Sequence, residues 1–409
     1  MTKNGYDFII VGSGMAGLSS ALHLANRGQR VVVLEQGRLA SGATSRASGL
    51  IGQMRSSADA TRLVMESLRF IQEVEARTGS HVFHQTGSIR LAQNEHRVDE
   101  LDADLETATR AGLPCERVDA AWLAQRMPFM RSDDIQTAAY CPSDGYLNPP
   151  ELAQAYIALA KSRGVEFRER CRVEAIRISN GKVTGIRANA ALIDAPVVIN
   201  AAGPWAHLIA DFAEQQLPTA GIIHRYFTTH SDAGTLYPPD APTVRDRELR
   251  IYARPKDGAL RVGIYERTAE GFDMAAAGRD FRMDKLETDS NHLTIQQLIE
   301  ATTNRFPVFQ RDTPIELTAG VMGFSPDGNS LLGTIADIEG LYHAAGLCGH
   351  GVAQSGELGA IVADLILEGT CRYNLDALRA DRFEDIPDLA NADQAQHACE
   401  AAYGAYYGR

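Results

Sequence analysis

Three features of this 409-residue sequence predict an α/β chain built on two kinds of sheet. First, the apolar run Tyr6-Asp7-Phe8-Ile9-Ile10-Val11 leads into Gly12-Ser13-Gly14-Met15-Ala16-Gly17. A helical stretch follows, and a second apolar run, Val31 to Leu34, ends in Glu35. Second, another glycine-rich strand-to-helix junction, Gly346-Leu347-Cys348-Gly349-His350-Gly351, lies more than 300 residues later. Third, between them, His224–Thr229, Glu248–Ala253 and Leu260–Tyr265 alternate apolar and polar side chains, the period of strands with one wet face.

The first junction has G-x-G-x-x-G spacing. Gly12 permits a tight turn, Gly14 lets a diphosphate approach bare backbone, and Gly17 lets the helix pack close to the strand. The helix, Met15 to about Arg27, aims unpaired N–H groups and roughly half a positive charge at that diphosphate. Glu35 stands 21 residues after Gly14, where a ribose hydroxyl needs an acceptor. Strand, helix, strand and acid in this register predict a Rossmann-like dinucleotide-binding domain. Ser13, Met15, Ala16 and Gln36 fall at the ends of the same two strands and belong to the expected ligand site.

Further along, Cys171–Ile178 and Lys182–Arg187 flank Asn180-Gly181, a hairpin turn. A buried-type strand, Pro196–Asn200, runs into Ala201-Ala202-Gly203-Pro204-Trp205. The third portion is a strand, Leu341–Ala345, the glycine loop, and an apolar helix to about Leu367. The cofactor domain is therefore expected to be discontinuous, over 1–80, 145–218 and 315–409. A substrate-binding domain would occupy 81–144 and 219–314. Two glycine-rich junctions suit a long ligand with a diphosphate at one end and an isoalloxazine ring at the other. The loop 346–351 is either a set of backbone donors for the flavin pyrimidine, where charge accumulates on reduction, or a plain turn. The expected fold is an FAD-binding, Rossmann-like domain of the glutathione-reductase type with a mixed or antiparallel-sheet substrate domain.

Composition narrows the function. A net charge of -12 argues against nucleic acid, which needs clustered Lys and Arg. No apolar run is long enough to span a membrane, and the first strand begins too early to leave room for a signal peptide. Six cysteines without C-x-x-C or metal spacing read as reduced thiols in a cytoplasmic protein with no metal site.

Several stretches carry a family resemblance. They are Phe83-His84-Gln85-Thr86-Gly87-Ser88-Ile89-Arg90-Leu91-Ala92, Asp144-Gly145-Tyr146-Leu147-Asn148-Pro149, Asn200-Ala201-Ala202-Gly203-Pro204-Trp205, His224-Arg225-Tyr226, Arg245-Asp246, Tyr252-Ala253-Arg254, Gly263-Ile264-Tyr265-Glu266 and Ser325-Pro326-Asp327-Gly328. Together they resemble the glycine oxidase, sarcosine oxidase and D-amino-acid oxidase superfamily of FAD amine oxidoreductases. Within it the pattern is most similar to the flavin half of dimethylglycine and sarcosine dehydrogenases. The resemblance implies that the loop after the second strand, with Ser45, Arg46, Ala47 and Leu50, touches FAD. So would Val173, Ala202, Gly203, Trp205, Gly346, Gly349, His350, Gly351 and Val352.

There are two departures. Arg46 stands where many relatives carry a histidine that bonds covalently to FAD. The cofactor is thus expected to be non-covalent, unless a thiol such as Cys348 attaches it. The folate-binding half is missing after about Tyr407, so tetrahydrofolate is not an expected partner.

The resemblance implies that His224 and Tyr252 line the substrate side. His224 could take a proton from the amine, and Tyr252 could orient the substrate. Either could instead pack a strand. Arg254 and Arg267 are possible carboxylate clamps or solvated strand residues, and Tyr265 is a possible substrate contact. His84 reads as structural. His350 is either at the flavin edge or a bare loop histidine.

The implied reaction is FAD-dependent oxidation of a secondary or tertiary amine, an N-methyl amino acid of the sarcosine or dimethylglycine type. Hydride passes to flavin N5, and the iminium hydrolyses to an aldehyde and the demethylated amine. Oxygen or a redox carrier then accepts the electrons. The alternatives are oxidation of a primary or cyclic amino acid at its α-carbon, and a non-catalytic flavoprotein regulatory subunit.

Overall fold

The computed structural model describes residues 5–230, 236–278, 281–286, 291–335, 338–386, 389 and 391–408. Phe8–Val11 pairs in parallel with Val31–Leu34 on one side and Val197–Asn200 on the other. Leu341–Ala345 and Glu166–Arg168 extend the two edges in parallel, and Leu331–Gly333 adds an antiparallel strand outside the first. Burial on both faces explains why these strands read as unbroken apolar runs. One face packs against the helices Met15–Asn26, Ala58–Thr78, Pro149–Ser162 and Ser355–Glu368. The other packs against a three-stranded antiparallel sheet formed by Val173–Ser179, Lys182–Ala188 and Ala191–Asp194. Its hairpin turns at Asn180 and Gly181, both at positive φ, as the sequence anticipates. Six cysteines carry free thiols, and among the described residues no helix is long and apolar enough to cross a membrane.

A second, nine-stranded mixed sheet is mainly antiparallel. Two expectations need correction here. Ile315–Phe324, grouped by the sequence boundary at 315 with the cofactor domain, pairs over ten consecutive residues with Ala220–Thr229 and so belongs to the second sheet. The run Glu248–Ala253 is not one strand. Thr243–Asp246 and Ile251–Lys256 form a hairpin whose turn, 247–250, includes Arg250 at φ 58°.

One face of this sheet carries an apolar core that includes Ile89, Val244, Ile251, Val262 and Phe227, packed against the helix His292–Arg305. Strand register selects what faces the other way. Arg90 lies opposite Arg245, Arg245 opposite Tyr252, and Tyr252 opposite Gly263. Residues paired across strands share a face, so these form one row. Gly263 also pairs with Tyr226, which puts His224, two residues earlier, on that same face.

Asp246 follows Arg245 and therefore points to the opposite face. It is fully buried, accepts from Arg305 Nε at 2.7 Å, and is also bonded by Gln93 and the Leu249 N–H. Arg305, equally buried, clasps Asp134 with its other nitrogens at 2.8 and 2.9 Å. This ion pair fixes the strand that carries Arg245. Asp246→Ala leaves Arg305 short of a partner and should cost about 3 kcal/mol, seen as a lower melting temperature. An unchanged melting temperature would show that the pair does not anchor the strand.

Candidate active site

A cavity of about 1350 Å³ is lined by residues from both large sheets. At one end stand Gly12, Ser13, Gly14, Met15, Ala16, Glu35 and Gln36. Gly12 sits at φ 101°, and a Cβ on Gly17 would stand 2.0 Å from the Gly12 carbonyl oxygen. Gly17 thus packs the helix on the strand and does not line the cavity. Glu35 folds back on the glycine loop. Its Oε2 accepts from the Ser13 N–H at 3.0 Å and hydroxyl at 2.7 Å, and its Oε1 accepts from the Gly37 N–H at 2.8 Å. The Met15 N–H donates to Thr44 Oγ1 at 3.1 Å. Over Gly14 the backbone is bare, because a Cβ there would meet only Thr44 Oγ1, at 3.5 Å.

The lining also includes Ser45, Arg46, Ala47, Leu50, Val173, Ala202, Gly203, Trp205, Gly349, His350, Gly351 and Val352. Gly346 is not among them: its α-carbon faces Leu331 and Ser325. The following helix starts only at Ser355, so the loop itself, not the first turn of the helix, borders the cavity. Cys348 is fully buried outside the lining. Its thiol donates to the Gly346 carbonyl at 2.9 Å, and burial pushes its pKa up to about 12. A thiol so held is poorly placed to bond a flavin.

At the far end the sheet face supplies Arg245, Tyr252 and His224, joined by Tyr265, Tyr406 and Tyr407. A Cβ on Gly263 would stand 2.0 Å from Tyr252 Cζ, so the phenol lies across bare backbone. This lets the Tyr252 hydroxyl reach His224 Nε2 at 2.9 Å. Burial raises the Tyr252 pKa well above that of an ordinary phenol. His224 Nδ1 meets Glu266 Oε2 at 2.9 Å and Tyr403 Oη at 3.0 Å.

Arg55 and Arg245 both line this end, and among the described residues neither guanidinium forms an ion pair; Arg55 Nε is buried with no partner at all. Burial, reinforced by Arg245 and Arg90, pushes Arg55 down to about 10. The buried Asp144 carboxylate, held by Gln53 and Ser88, faces both cations. Two guanidiniums against one carboxylate leave one positive charge open to the cavity. His350 lies at the same end, bonded through Nε2 to the Tyr406 hydroxyl at 2.7 Å. Burial and the two arginines hold its pKa well below the usual range.

Arg254 is not at the cavity. It is buried over the Tyr146 ring, and its Nε donates to the Ser48 carbonyl at 2.5 Å, clamping the 42–50 loop onto the sheet. Burial brings its pKa down to about 9. Arg267 is exposed and lies outside the lining, and His84 stacks on Tyr146 as a structural ring. Among the described residues no cluster of His, Cys, Asp or Glu could hold a metal ion. The sequence reading missed Arg55, Arg245, Glu266 and the three tyrosines of the last helix.

The cavity fits a dinucleotide. Its volume exceeds the roughly 300–1,000 Å³ of drug-sized sites, one end is bare backbone at a helix N-terminus, and it runs on to a polar far wall. Residues 7–365 match the DAO family, described as FAD dependent oxidoreductase. The chain is 28% identical to mitochondrial sarcosine dehydrogenase of Homo sapiens, over 92% of this chain and 41% of that protein. It is 27% identical to the mitochondrial pyruvate dehydrogenase phosphatase regulatory subunit of Mus musculus, over 92% of this chain and 43% of that one. It thus spans less than half the length of these relatives. In fold it is similar to the crystal structure of L-proline dehydrogenase from P. horikoshii, with a TM-score of 0.84, 24% identity, and coverage of 93% of this chain and 98% of that one. The chain belongs to the DAO family of FAD-dependent oxidoreductases.

Proposed function

We propose that this flavoprotein oxidises a secondary or tertiary amine that carries one carboxylate, an N-methyl amino acid of the sarcosine or dimethylglycine type. The observation that carries this is a single arrangement where the second sheet lines the cavity. Arg55 and Arg245, without ion-pair partners, stand on the same wall as the Tyr252 hydroxyl and the His224 imidazole. The guanidiniums suit a carboxylate, which they can grip with paired hydrogen bonds. The likeness to sarcosine dehydrogenase supports an N-methyl group on the amine. The free thiols fit a reducing compartment such as the cytoplasm.

Gly12 to Gly17, Glu35, the 44–50 loop and the 349–352 loop would hold FAD. When bound, FAD supplies the two-electron acceptor for a C–H bond beside the substrate nitrogen, and water hydrolyses the resulting iminium to an aldehyde and the demethylated amine. The chain's own residues do the rest. Arg55 and Arg245 fix the carboxylate and so set which C–H is presented, at the near-attack distance such reactions need. Tyr252 orients the nitrogen, and His224 Nε2 receives its proton by way of the Tyr252 hydroxyl. Oxidation at the α-carbon of a primary or cyclic amino acid would use the same wall. Product analysis separates the two: formaldehyde for the first, a keto acid or cyclic imine for the second.

Arg46 has no chemistry for a covalent flavin link and Cys348 is walled off, so acid precipitation should release all the FAD. Yellow colour left in the washed pellet would contradict this. Gly14→Val should give apoprotein, because its side chain fills the space over the bare backbone.

In anaerobic rapid mixing with a panel of N-methyl amino acids, the wild-type flavin should bleach. A protein that keeps its flavin oxidised with every compound would point to the regulatory-subunit reading instead. His224→Ala should slow reduction by about 10²–10⁴-fold. Tyr252→Phe should cost about 1–3 kcal/mol, or roughly 5- to 150-fold. Arg55→Met and Arg245→Met should each weaken substrate binding by about 10- to 100-fold, as expected for a lost charged hydrogen bond. All four should retain FAD. Unchanged reduction and binding in flavin-replete variants would remove this wall from the mechanism.

A further inference from the structure

The Glu266 side chain is 2% exposed, and among the described residues its only ion-pair partner is His224. A carboxylate withdrawn from water is costly unless donors surround it. Here three do. The Arg225 N–H donates to Oε1 at 3.0 Å, His224 Nδ1–H donates to Oε2 at 2.9 Å, and the Tyr403 hydroxyl donates to Oε2. With Nδ1 holding its hydrogen toward the carboxylate, Nε2 keeps its lone pair and accepts from the Tyr252 hydroxyl. The Tyr252 oxygen, which also bonds the Ser48 side chain, then has a lone pair that can accept from a bound substrate.

We propose that Glu266 is a positioning residue for amine deprotonation: it locks the His224 tautomer that accepts from Tyr252, and it balances the charge His224 gains when a bound ammonium loses its proton. This rests on the amine-oxidation reading above. In the step, the ammonium N–H bond breaks and its proton joins the Tyr252 oxygen, while the proton of Tyr252 passes to His224 Nε2. The substrate nitrogen keeps the electron pair, nothing is oxidised, and the charge ends on an imidazolium paired with Glu266.

Among the described residues no other carboxylate pairs with His224. The last helix, Ala392–Gly408, faces it with Tyr403 and Tyr407, whose ring lies 6.3 Å away. Strand Ile251–Lys256 contributes Tyr252, and Tyr265 packs on both Tyr252 and Tyr407. On strand Ile315–Phe324 the partner of His224 is Gly320, where a Cβ would stand 2.8 Å from Arg46 Cβ. Arg250 donates to the backbone carbonyl of Glu266.

The test uses flavin-loaded enzyme with Glu266→Gln. At neutral pH, anaerobic reduction by a tertiary N-methyl amino acid should slow by about 10²-fold, and the loss should largely disappear at alkaline pH, where the amine arrives already neutral. Independently of turnover, the downfield imidazole N–H signal assigned to His224 (absent in His224→Ala) should move upfield in Glu266→Gln, because a charge-assisted hydrogen bond is replaced by a neutral one. Should the Gln variant lose flavin, Glu266→Asp, which keeps the charge but draws it back, should show the same pattern more weakly. An equal loss of rate at every pH, or an unmoved N–H signal, would overturn the proposal. Failure of the wild-type flavin to bleach would instead overturn the amine-oxidation reading, and the N–H signal would still decide the role of Glu266.

Discussion

The proposed substrate wall depends on a missing side chain. Tyr252 and Gly263 are direct partners in an antiparallel pair, and the Tyr252 ring lies where a Gly263 Cβ would project, 2.0 Å from Cζ. Any other residue at 263 would push the ring away from the strand. With glycine there, the phenol lies flat across its neighbour and reaches one strand farther, to His224. A covalently simple feature of one strand therefore joins residues on two others. Register supplies the rest: Arg245 shares the row, and Asp246, turned to the opposite face and locked by Arg305, keeps that row from sliding.

Charge is distributed along the cavity in a way that suits an extended cofactor and a small anion. The Gly14 end offers backbone at a helix N-terminus, with its carboxylate, Glu35, tied to Ser13 and Gly37. The other end holds Arg55 and Arg245 against the single carboxylate of Asp144. Beside them, Arg90 and Arg247 line the same cavity but are matched by Asp104 and Glu100. Arg55 and Arg245 thus stand beside Tyr252 and His224 without an ion-pair partner among the described residues.

How much of this could be read from the sequence follows from range. The first junction is local: Gly12 to Glu35 are neighbours along the chain, and their spacing alone places the loop, the helix and the acid. The hairpin at Asn180-Gly181 is local too. Asn200 and His343 lie 143 residues apart in the chain, yet they bond across two parallel strands at 3.2 Å, a contact no local pattern predicts. Arg245 and Glu266 sat inside the R-D and G-x-Y-E patterns. Their direction depends on the strand phase, which the mistaken run Glu248–Ala253 obscured. Arg254 was a reasonable clamp by type, but it sits two residues beyond Tyr252 on the same face and finds the Ser48 carbonyl first. Arg55 lies in an irregular segment without a period to orient it. Tyr403, Tyr406 and Tyr407 are spaced to share a helix face, and only the fold shows which cavity that face closes.

The most direct measurement of the central claim is anaerobic flavin reduction in Gly263→Ala, followed by rapid mixing with an N-methyl amino acid on protein shown to be flavin-replete. The added methyl group meets the Tyr252 ring and leaves the cofactor end of the cavity untouched. If Tyr252 must lie across bare backbone to reach His224, FAD content stays at the wild-type level while reduction slows at least as much as in Tyr252→Phe. Reduction at the wild-type rate would mean that the hydroxyl–imidazole contact is incidental and that the chemistry lies elsewhere in the cavity.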